Sequence, residues 1–459
     1  MKVEDIIKAT NGRLLVGDPQ EDCENICTDT RKIQKGDIYV GLKGEKFNGN
    51  EYYKEALEKG AKVAVISGIE VTKEDLDQYK DKTIIEVKDS LEAFGDIAAY
   101  KRDLYDIPVV QITGSVGKTS TRDIIANVVR TQYKTLQTEG NQNNAIGLPT
   151  TLLKLKDHEA VVVESGMNHL GEIRYLGKIA KPTVAVITNI GTAHIGFLGS
   201  RENILKAKLE ILENLKPGGY IVINNDNDML NKWAKEDTKY KKYTFGIDEK
   251  SDVMAYNIKV SEDYSTYNVK INNKEYFVKV PVSGKHFVYN SLCAIAVGNL
   301  LNIAPENIIK GIETFTLTKN RMEVNKIKDD VTVINDAYNA SYDSMKAAIE
   351  YLQGLPGGRK IAVLGDMFEL GKYSEEIHRK VGIEVFTHKI DMLVTVGNES
   401  KYIAEEVKYL GMPKENVTSF NTTEEATDYL NNILRKNDVV LLKAAHGMQF
   451  SKIYDGINN

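Results

Sequence analysis

The stretch Pro108-Val109-Val110-Gln111-Ile112-Thr113-Gly114-Ser115-Val116-Gly117-Lys118-Thr119-Ser120 sets the reading of this chain. Its β-branched apolar half predicts a buried strand, and its two glycines predict a tight loop. The residues that follow, Thr121-Arg122-Asp123-Ile124-Ile125-Ala126-Asn127-Val128-Val129, predict a helix. A strand, a glycine loop and a helix N-terminus in that order present backbone N–H groups to an anion. Gly114 and Gly117 let the backbone approach phosphate oxygens with no Cβ in the way, and Ser115, Val116 and Ser120 complete the cradle. Lys118 supplies a point charge for the β and γ phosphates, and the Thr119 hydroxyl suits Mg²⁺. The loop is Gly-x-x-Gly-Lys-Thr, two residues shorter than the common form. Asn231-Lys232-Trp233-Ala234 breaks the Asn-Lys-x-Asp pattern that reads guanine, so ATP is favoured over GTP.

Working outward, further strands are expected at 160–164, 183–188 and 220–224, with helical segments between them. That alternation predicts a doubly wound parallel sheet. The pattern over 253–282 predicts a small antiparallel addition, and 286–301 a helix. Upstream, strands at 37–42 and 61–66 flank a helix over 52–59 closed by Gly60, while the polar run 70–82 reads as a surface excursion. Downstream, strands at 331–335, 361–364, 392–396 and 439–442 repeat the alternation. Two of them run into the turns Asp336-Ala337-Tyr338-Asn339 and Gly365-Asp366, expected to line a crevice at the carboxyl ends of the strands. The fold class is α/β in three domains. A small α/β N-terminal domain spans 1–86, a central P-loop ATPase-like domain with the parallel sheet spans 87–316, and a C-terminal Rossmann-like α/β domain spans 317–459.

The totals agree with that division, since 459 residues suit roughly three domains. A composition 42% apolar and 27% charged is ordinary for a soluble globular protein. The net charge of −5 argues against a nucleic-acid or anionic-membrane partner. No apolar run approaches the ~18 to 20 residues that span a bilayer, and Met1-Lys2-Val3-Glu4-Asp5-Ile6-Ile7-Lys8 is charged and amphipathic rather than a signal peptide. Cys23, Cys27 and Cys293 form neither a disulfide framework nor a metal tetrad. A cytoplasmic monomer is expected.

Several positions elsewhere carry chemistry. Glu164 closes a strand beside the phosphate loop, where a carboxylate is well placed to hold Mg²⁺, although a solvated strand end is the plainer reading. His194 follows another buried strand, and a lone His there is more often structural. Lys208 sits in the helical run Ala207-Lys208-Leu209-Glu210, where pairing with a glutamate is the ordinary outcome. Asn141-Gln142-Asn143-Asn144 suits a turn, and equally suits hydrogen bonds to a peptide-like ligand.

Together these residues resemble the Mur ligase family, ATP-dependent amide-forming enzymes of peptidoglycan precursor synthesis. The resemblance covers nearly the whole chain. It rests on Thr113 to Ser120, on Glu139-Gly140-Asn141-Gln142-Asn143-Asn144-Ala145-Ile146-Gly147-Leu148-Pro149, on Gly166-Met167-Asn168-His169, on Asn335-Asp336-Ala337-Tyr338-Asn339-Ala340, and on Leu364-Gly365-Asp366-Met367-Phe368-Glu369-Leu370-Gly371. All but the first look like the signature of the branch that joins D-alanyl-D-alanine to UDP-N-acetylmuramoyl-tripeptide, so those two molecules are the implied substrates. The resemblance further implies two Mg²⁺ ions held by Thr119, Glu164, His194 and a Lys208 carbamylated by CO₂. Lys118, Glu164, His194 and Lys208 become the catalytic set. It assigns nucleotide contacts to His286, Asn290, Arg321 and Asp336, substrate contacts to Asn141, Asn143 and Asn144, and the UDP group to Asp29-Thr30-Arg31 in the N-terminal domain.

The chain departs from the usual family pattern at Asn339-Ala340-Ser341-Tyr342, at Lys443-Ala444-Ala445-His446-Gly447-Met448 and at Phe47-Asn48-Gly49-Asn50. These changes touch acceptor and UDP recognition and leave the ATP apparatus intact. Two rivals stand beside this reading. One is a ligase adding a single amino acid, or glutamate to folate. The other is a nucleotide-sensing switch without catalysis, which gives Glu164, His194 and Lys208 no shared purpose.

Overall fold

Three sheets carry the fold of the computed structural model, which describes the chain except Glu24, Leu317, Lys319, Asn320, Asn459 and the side chain of Asp329. Leu317, the expected start of the third unit, therefore lies outside the described residues. The first sheet holds β1 (Arg13–Val16), β2 (Ile26–Cys27), β3 (Ile38–Val40), β4 (Val63–Ile66) and β5 (Thr83–Glu86) in the order β1-β5-β4-β3-β2. Its strands are parallel except for the β1–β5 pair.

The second sheet contains β6 (Val109–Thr113), β7 (Thr135–Gln137), β8 (Ala160–Glu164), β9 (Val184–Ile187), β10 (Tyr220–Asn224), β11 (Lys241–Gly246), β12 (Val253–Val260), β13 (Ser265–Ile271) and β14 (Lys274–Val280). Their order is β14-β13-β12-β11-β10-β9-β6-β8-β7, with β6 at the centre of the parallel part. The antiparallel addition β12–β14 continues this sheet, because β12 pairs in parallel with β11. The third sheet, β15 (Glu323–Lys326), β16 (Thr332–Asn335), β17 (Lys360–Gly365), β18 (Met392–Val396), β19 (Val417–Phe420) and β20 (Val439–Lys443), runs β15-β16-β20-β17-β18-β19 and is parallel except at β15.

The apolar strands are buried on both faces, as parallel sheets covered by helices require. Every residue of β6 and β8 is buried. The helix Lys118–Arg130 buries Ile124, Ile125, Val128 and Val129 in the same core as the helices Lys285–Leu300 and Pro305–Glu313. The approach is so close that a Cβ on Gly311 would lie 2.6 Å from the Cα of Val128. Among the described residues no helix is long and apolar enough to cross a membrane.

The run 70–82 is no excursion. Thr72 caps a short helix, Lys73–Gln78, through a reciprocal pair with Asp75, each side chain accepting the other's backbone N–H at 3.2 Å. Capping chemistry, rather than apolar periodicity, makes this helix, which is why its polar sequence hid it. The short strands β1, β7, β15 and β19 were also without a periodic signal.

The helix Ser90–Asp103 lies between the first two sheets. Phe94 and Ile97 pack with Val3, Ile38 and Val63, while Ala98 and Ala99 pack with Val109, Leu148 and Leu176. Arg102, fully buried at its end, donates to the carbonyls of Ala180, Tyr105 and Ile107 at 3.2, 2.6 and 3.2 Å. Arg102→Met strips donors from these carbonyls, which costs about 1 to 3 kcal/mol for each group left unsatisfied. A melting curve should show a temperature lowered by several degrees, and an unchanged curve would deny the guanidinium this role.

Candidate active site

The carboxyl ends of β6, β8 and β9 face the turns of the third sheet across a cavity of about 580 Å³. Register makes this possible. Ile112 of β6 pairs with Glu164 of β8, and Thr113 with Ile187 of β9, so the phosphate loop, Glu164 and the segment leading to His194 leave the sheet at one level.

The loop itself is pinned from β9. The Ser115 N–H donates to the Asn189 carbonyl at 3.0 Å, the Val116 N–H to Asn189 Oδ1 at 2.9 Å, and the Thr188 hydroxyl to the Val116 carbonyl at 2.7 Å. A Cβ on Gly114 would fall 1.9 Å from Thr188 Oγ1, and Gly117, at φ +81°, turns the chain into the helix that starts at Lys118. These two glycines are required by space and by backbone conformation respectively. Lys118 folds back to donate to the Gly114 carbonyl at 3.0 Å. Burial depresses its pKa, with Glu164 opposing and Arg321 adding to the effect.

Glu164 is 2% exposed and its carboxylate is shared. Thr119 Oγ1 donates to Oε2 at 2.8 Å, Asn143 Nδ2 donates to Oε1 at 2.7 Å, and the buried Arg122 guanidinium stands 3.6 Å away. Arg321, from beyond the second sheet, donates from Nη2 to the same Thr119 hydroxyl at 2.9 Å. Its guanidinium lies 3.9 Å above the Tyr338 ring, and its buried Nε has no partner among the described residues.

His194 Nδ1 lies 2.5 Å from Glu369 Oε2. Burial lowers the imidazole pKa, partly offset by that carboxylate. Lys208 is 1% exposed in the helix Arg201–Leu209. Burial first, and the charge of Lys118 second, push its ammonium well below the ordinary lysine range. No carboxylate pairs with it among the described residues. His286 is pushed down to about 4 by burial, against the opposing charge of Asp336. Asn290 Oδ1 accepts from the Thr121 hydroxyl at 3.1 Å, tying the helix Lys285–Leu300 to the phosphate-loop helix. Asp336 accepts from the Met322 N–H at 3.1 Å and from the ammonium of Lys443.

The expected residues therefore converge in large part. Ser115, Val116, Gly117, Lys118, Thr119, Ser120, Asn141, Asn143, Asn144, Glu164, His194, His286, Asn290, Arg321 and Asp336 all line the cavity, while Gly114 and Lys208 lie behind its wall. Asp29, Thr30 and Arg31 are not part of it. Asp29 is bound by its neighbour Arg31 through two 2.8 Å hydrogen bonds, which hold its carboxyl down to about 2. Asn144 keeps its turn role, accepting from the Ile146 and Gly147 N–H groups at 3.1 and 2.9 Å.

Of the two turns expected to line the crevice, only the first does. Asp366 is spent on the backbone, accepting N–H groups of Asn398, Glu399 and Ser400 at 3.1, 3.0 and 2.7 Å. Four residues that sequence reasoning left without a role join the site: Arg122, Tyr338, Glu369 and Lys443. Tyr338 and Glu369 stood inside quoted motifs. Lys443 opened the C-terminal stretch where the chain departs from the family pattern, and Arg122 lay in the helix after the phosphate loop.

Comparison with known proteins agrees with this geometry. Residues 112–298 match the Mur ligase middle domain, 320–446 the Mur ligase glutamate ligase domain, and 22–102 the Mur ligase family catalytic domain. The UDP-N-acetylmuramoyl-tripeptide–D-alanyl-D-alanine ligase of Bacillus subtilis (strain 168) is 37% identical over 432 residues, 93% of this chain and 92% of that one. The crystal structure of MurF from Acinetobacter baumannii superposes with a TM-score of 0.91 at 30% identity, covering 99% and 98% of the two chains. A MurF ligase from Thermotoga maritima in complex with ADP superposes with a TM-score of 0.84 at 26% identity, covering 95% and 97%. With three matched domains in order and relatives that span its length, this chain belongs to the Mur ligase family.

Proposed function

We propose that the protein uses ATP to join D-alanyl-D-alanine to UDP-N-acetylmuramoyl-tripeptide, giving the UDP-muramoyl pentapeptide precursor of peptidoglycan, ADP and phosphate. The observation that carries the reading is the Thr119 hydroxyl, shared between Glu164 and Arg321 beside Lys118. It joins the phosphate loop, a Mg²⁺-type carboxylate and a cation from a different part of the chain in one cavity. The relatives' activity supplies the substrates.

A carboxylate resists attack by an amine because its charge repels the nucleophile and its oxygen leaves poorly. Transfer of the γ-phosphoryl group from ATP gives an acyl phosphate. The dipeptide amine then attacks the carbonyl carbon, phosphate departs with the C–O bond electrons, and the amine proton passes to base or solvent. Lys118 and Arg321 stabilise the charge on the transferred group. Arg321 Nε, buried and without a partner among the described residues, suits an anion arriving in the cavity. The walls contributed by Tyr338, Phe368 and Leu370 exclude water that would hydrolyse the acyl phosphate.

Thr119 and Glu164 offer the oxygen donors Mg²⁺ prefers, and ATP phosphates would complete their set. Mg²⁺ bound there would neutralise phosphate charge during transfer. A second ion is assigned to His194 and a carbamylated Lys208. Supporting the carbamate, burial and Lys118 push the Lys208 amine well below the ordinary lysine range, which favours the neutral form that adds to CO₂ with loss of a proton. The product is an anionic oxygen donor. UDP recognition by Asp29, Thr30 and Arg31, and acceptor contacts by Asn141, Asn143 and Asn144, complete the assignment. The division into domains at 1–86, 87–316 and 317–459 remains part of this proposal.

The deciding experiment measures phosphate release from ATP with UDP-muramoyl tripeptide, offering D-alanyl-D-alanine, single amino acids and folate with glutamate in turn. Release that requires the tripeptide and the dipeptide is expected. ATP binding without acceptor-dependent release would leave only a nucleotide switch. Lys118→Ala should lower turnover by about a hundredfold or more, read as ADP formation. Lys208→Ala should lose activity and regain part of it with added formate or acetate, which restore an anionic oxygen. Full activity in that variant without any added acid would remove the carbamate from the mechanism.

A further inference from the structure

We propose that Glu369 is a positioning residue for His194, delivered when the third sheet unit closes on the second, and that Gly196 is the gap that lets the two backbones meet. The inference rests on the ligase reading and adds a residue to it. The parts involved are the segment 192–199, which follows β9, and the segment 369–373, which follows β17.

His194 at φ +65° and Glu369 at φ +64° both hold left-handed backbone. That conformation costs roughly 1 kcal/mol or more for such residues and persists where surroundings impose it. Here each segment is held by the other. The Gly196 N–H donates to the Glu369 carbonyl at 3.0 Å, and the Tyr373 hydroxyl donates to the Gly199 carbonyl at 2.7 Å. Close by, the Asp343 carboxylate accepts the Thr192 N–H at 3.0 Å. A Cβ on Gly196 would lie 2.5 Å from the Glu369 carbonyl oxygen and 2.7 Å from the Gly371 nitrogen.

With the backbones thus seated, Glu369 Oε2 comes 2.5 Å from His194 Nδ1. The two residues follow strands of different sheets, so the contact depends on how the two units are seated against each other. A carboxylate facing one ring nitrogen at this distance biases the orientation of the imidazole, which lines the cavity. The pair is 18% and 38% exposed, and an ordinary surface pair of that kind adds little to stability. Orientation, not binding strength, is what Glu369 supplies.

The test combines turnover with a closure measurement, the X-ray scattering radius of gyration in the presence of a non-hydrolysable ATP analogue and Mg²⁺. Gly196→Ala props the segments apart without touching any cavity side chain, and Glu369→Ala removes the carboxylate. Gly196→Ala should shift the scattering toward a more open form, Glu369→Ala should leave it as in the wild type, and both should lower kcat by about tenfold or more. KM for ATP should rise by less than kcat falls, because the phosphate loop lies wholly on the second sheet and only Arg321 and Asp336 reach the nucleotide from the third. Glu369→Gln, which keeps an acceptor, should recover part of kcat. Wild-type kcat in either alanine variant, or wild-type closure in Gly196→Ala, would overturn the proposal. Should one of them fail to fold, the other and Tyr373→Phe, which loses a single hydroxyl bond, give the same decision. Scattering does not depend on the acceptor, so a wild type inactive toward the dipeptide would sink the ligase reading while the closure result still judged the latch.

Discussion

Burial of the Glu164 carboxylate is the constraint around which the site is organised. An ionised carboxyl removed from water is tolerated only when its oxygens are occupied. The chain meets this with one donor from the phosphate-loop helix, Thr119, and one from the amide-rich loop, Asn143, with Arg122 behind them. Three pieces of chain separated in sequence are thereby fixed relative to one another. Thr119 then accepts from Arg321, so the demand of one carboxylate extends to the approach of the third sheet.

The opposite charge is handled differently. Lys118 and Lys208 are both depressed by burial, and the charge of Lys118 adds to the effect at Lys208. Arg321 adds to that repulsion at Lys118. Lys118 and Arg321 stand together at the phosphate-loop end of the cavity, a local pair of cations that a polyphosphate suits. Glu369, held below its ordinary pKa chiefly by His194, is the acidic counterweight on the far wall.

Much of this was legible in the sequence because the parallel strands are buried on both faces and read as unbroken apolar runs. β10 and β18 fall on the expected residues, and β6 with its loop needed only glycine spacing to be recognised. What escaped has physical causes. β7 and β15 are short, and their pairing is decided by neighbours that local sequence does not name. The helix Lys73–Gln78 depends on its cap. Asp366, read as a crevice residue from its place after a strand, proved to be an acceptor for three backbone N–H groups, and position alone does not tell those roles apart. The partners Glu369 and Lys443 were unreadable for a different reason. Their importance lies in which sheet they meet, and meeting is a property of the assembled units.

That last point bears on why such a site is divided among sheets. A group fixed permanently beside the phosphates would obstruct entry of a large nucleotide-linked substrate. A group supplied by closure leaves the cavity open for loading and completes it afterwards. Arg321, Asp336 and Lys443 reach the cavity from the third sheet unit, and register decides the places of the last two. Asn335 of β16 pairs with Leu442 of β20, which places Asp336 beside Lys443 at the end of adjacent strands. The third sheet thus presents a prearranged set of charges as a rigid body. The close backbone approach at Gly196 and Gly371 is where the two units meet, and it leaves no room for a side chain on Gly196.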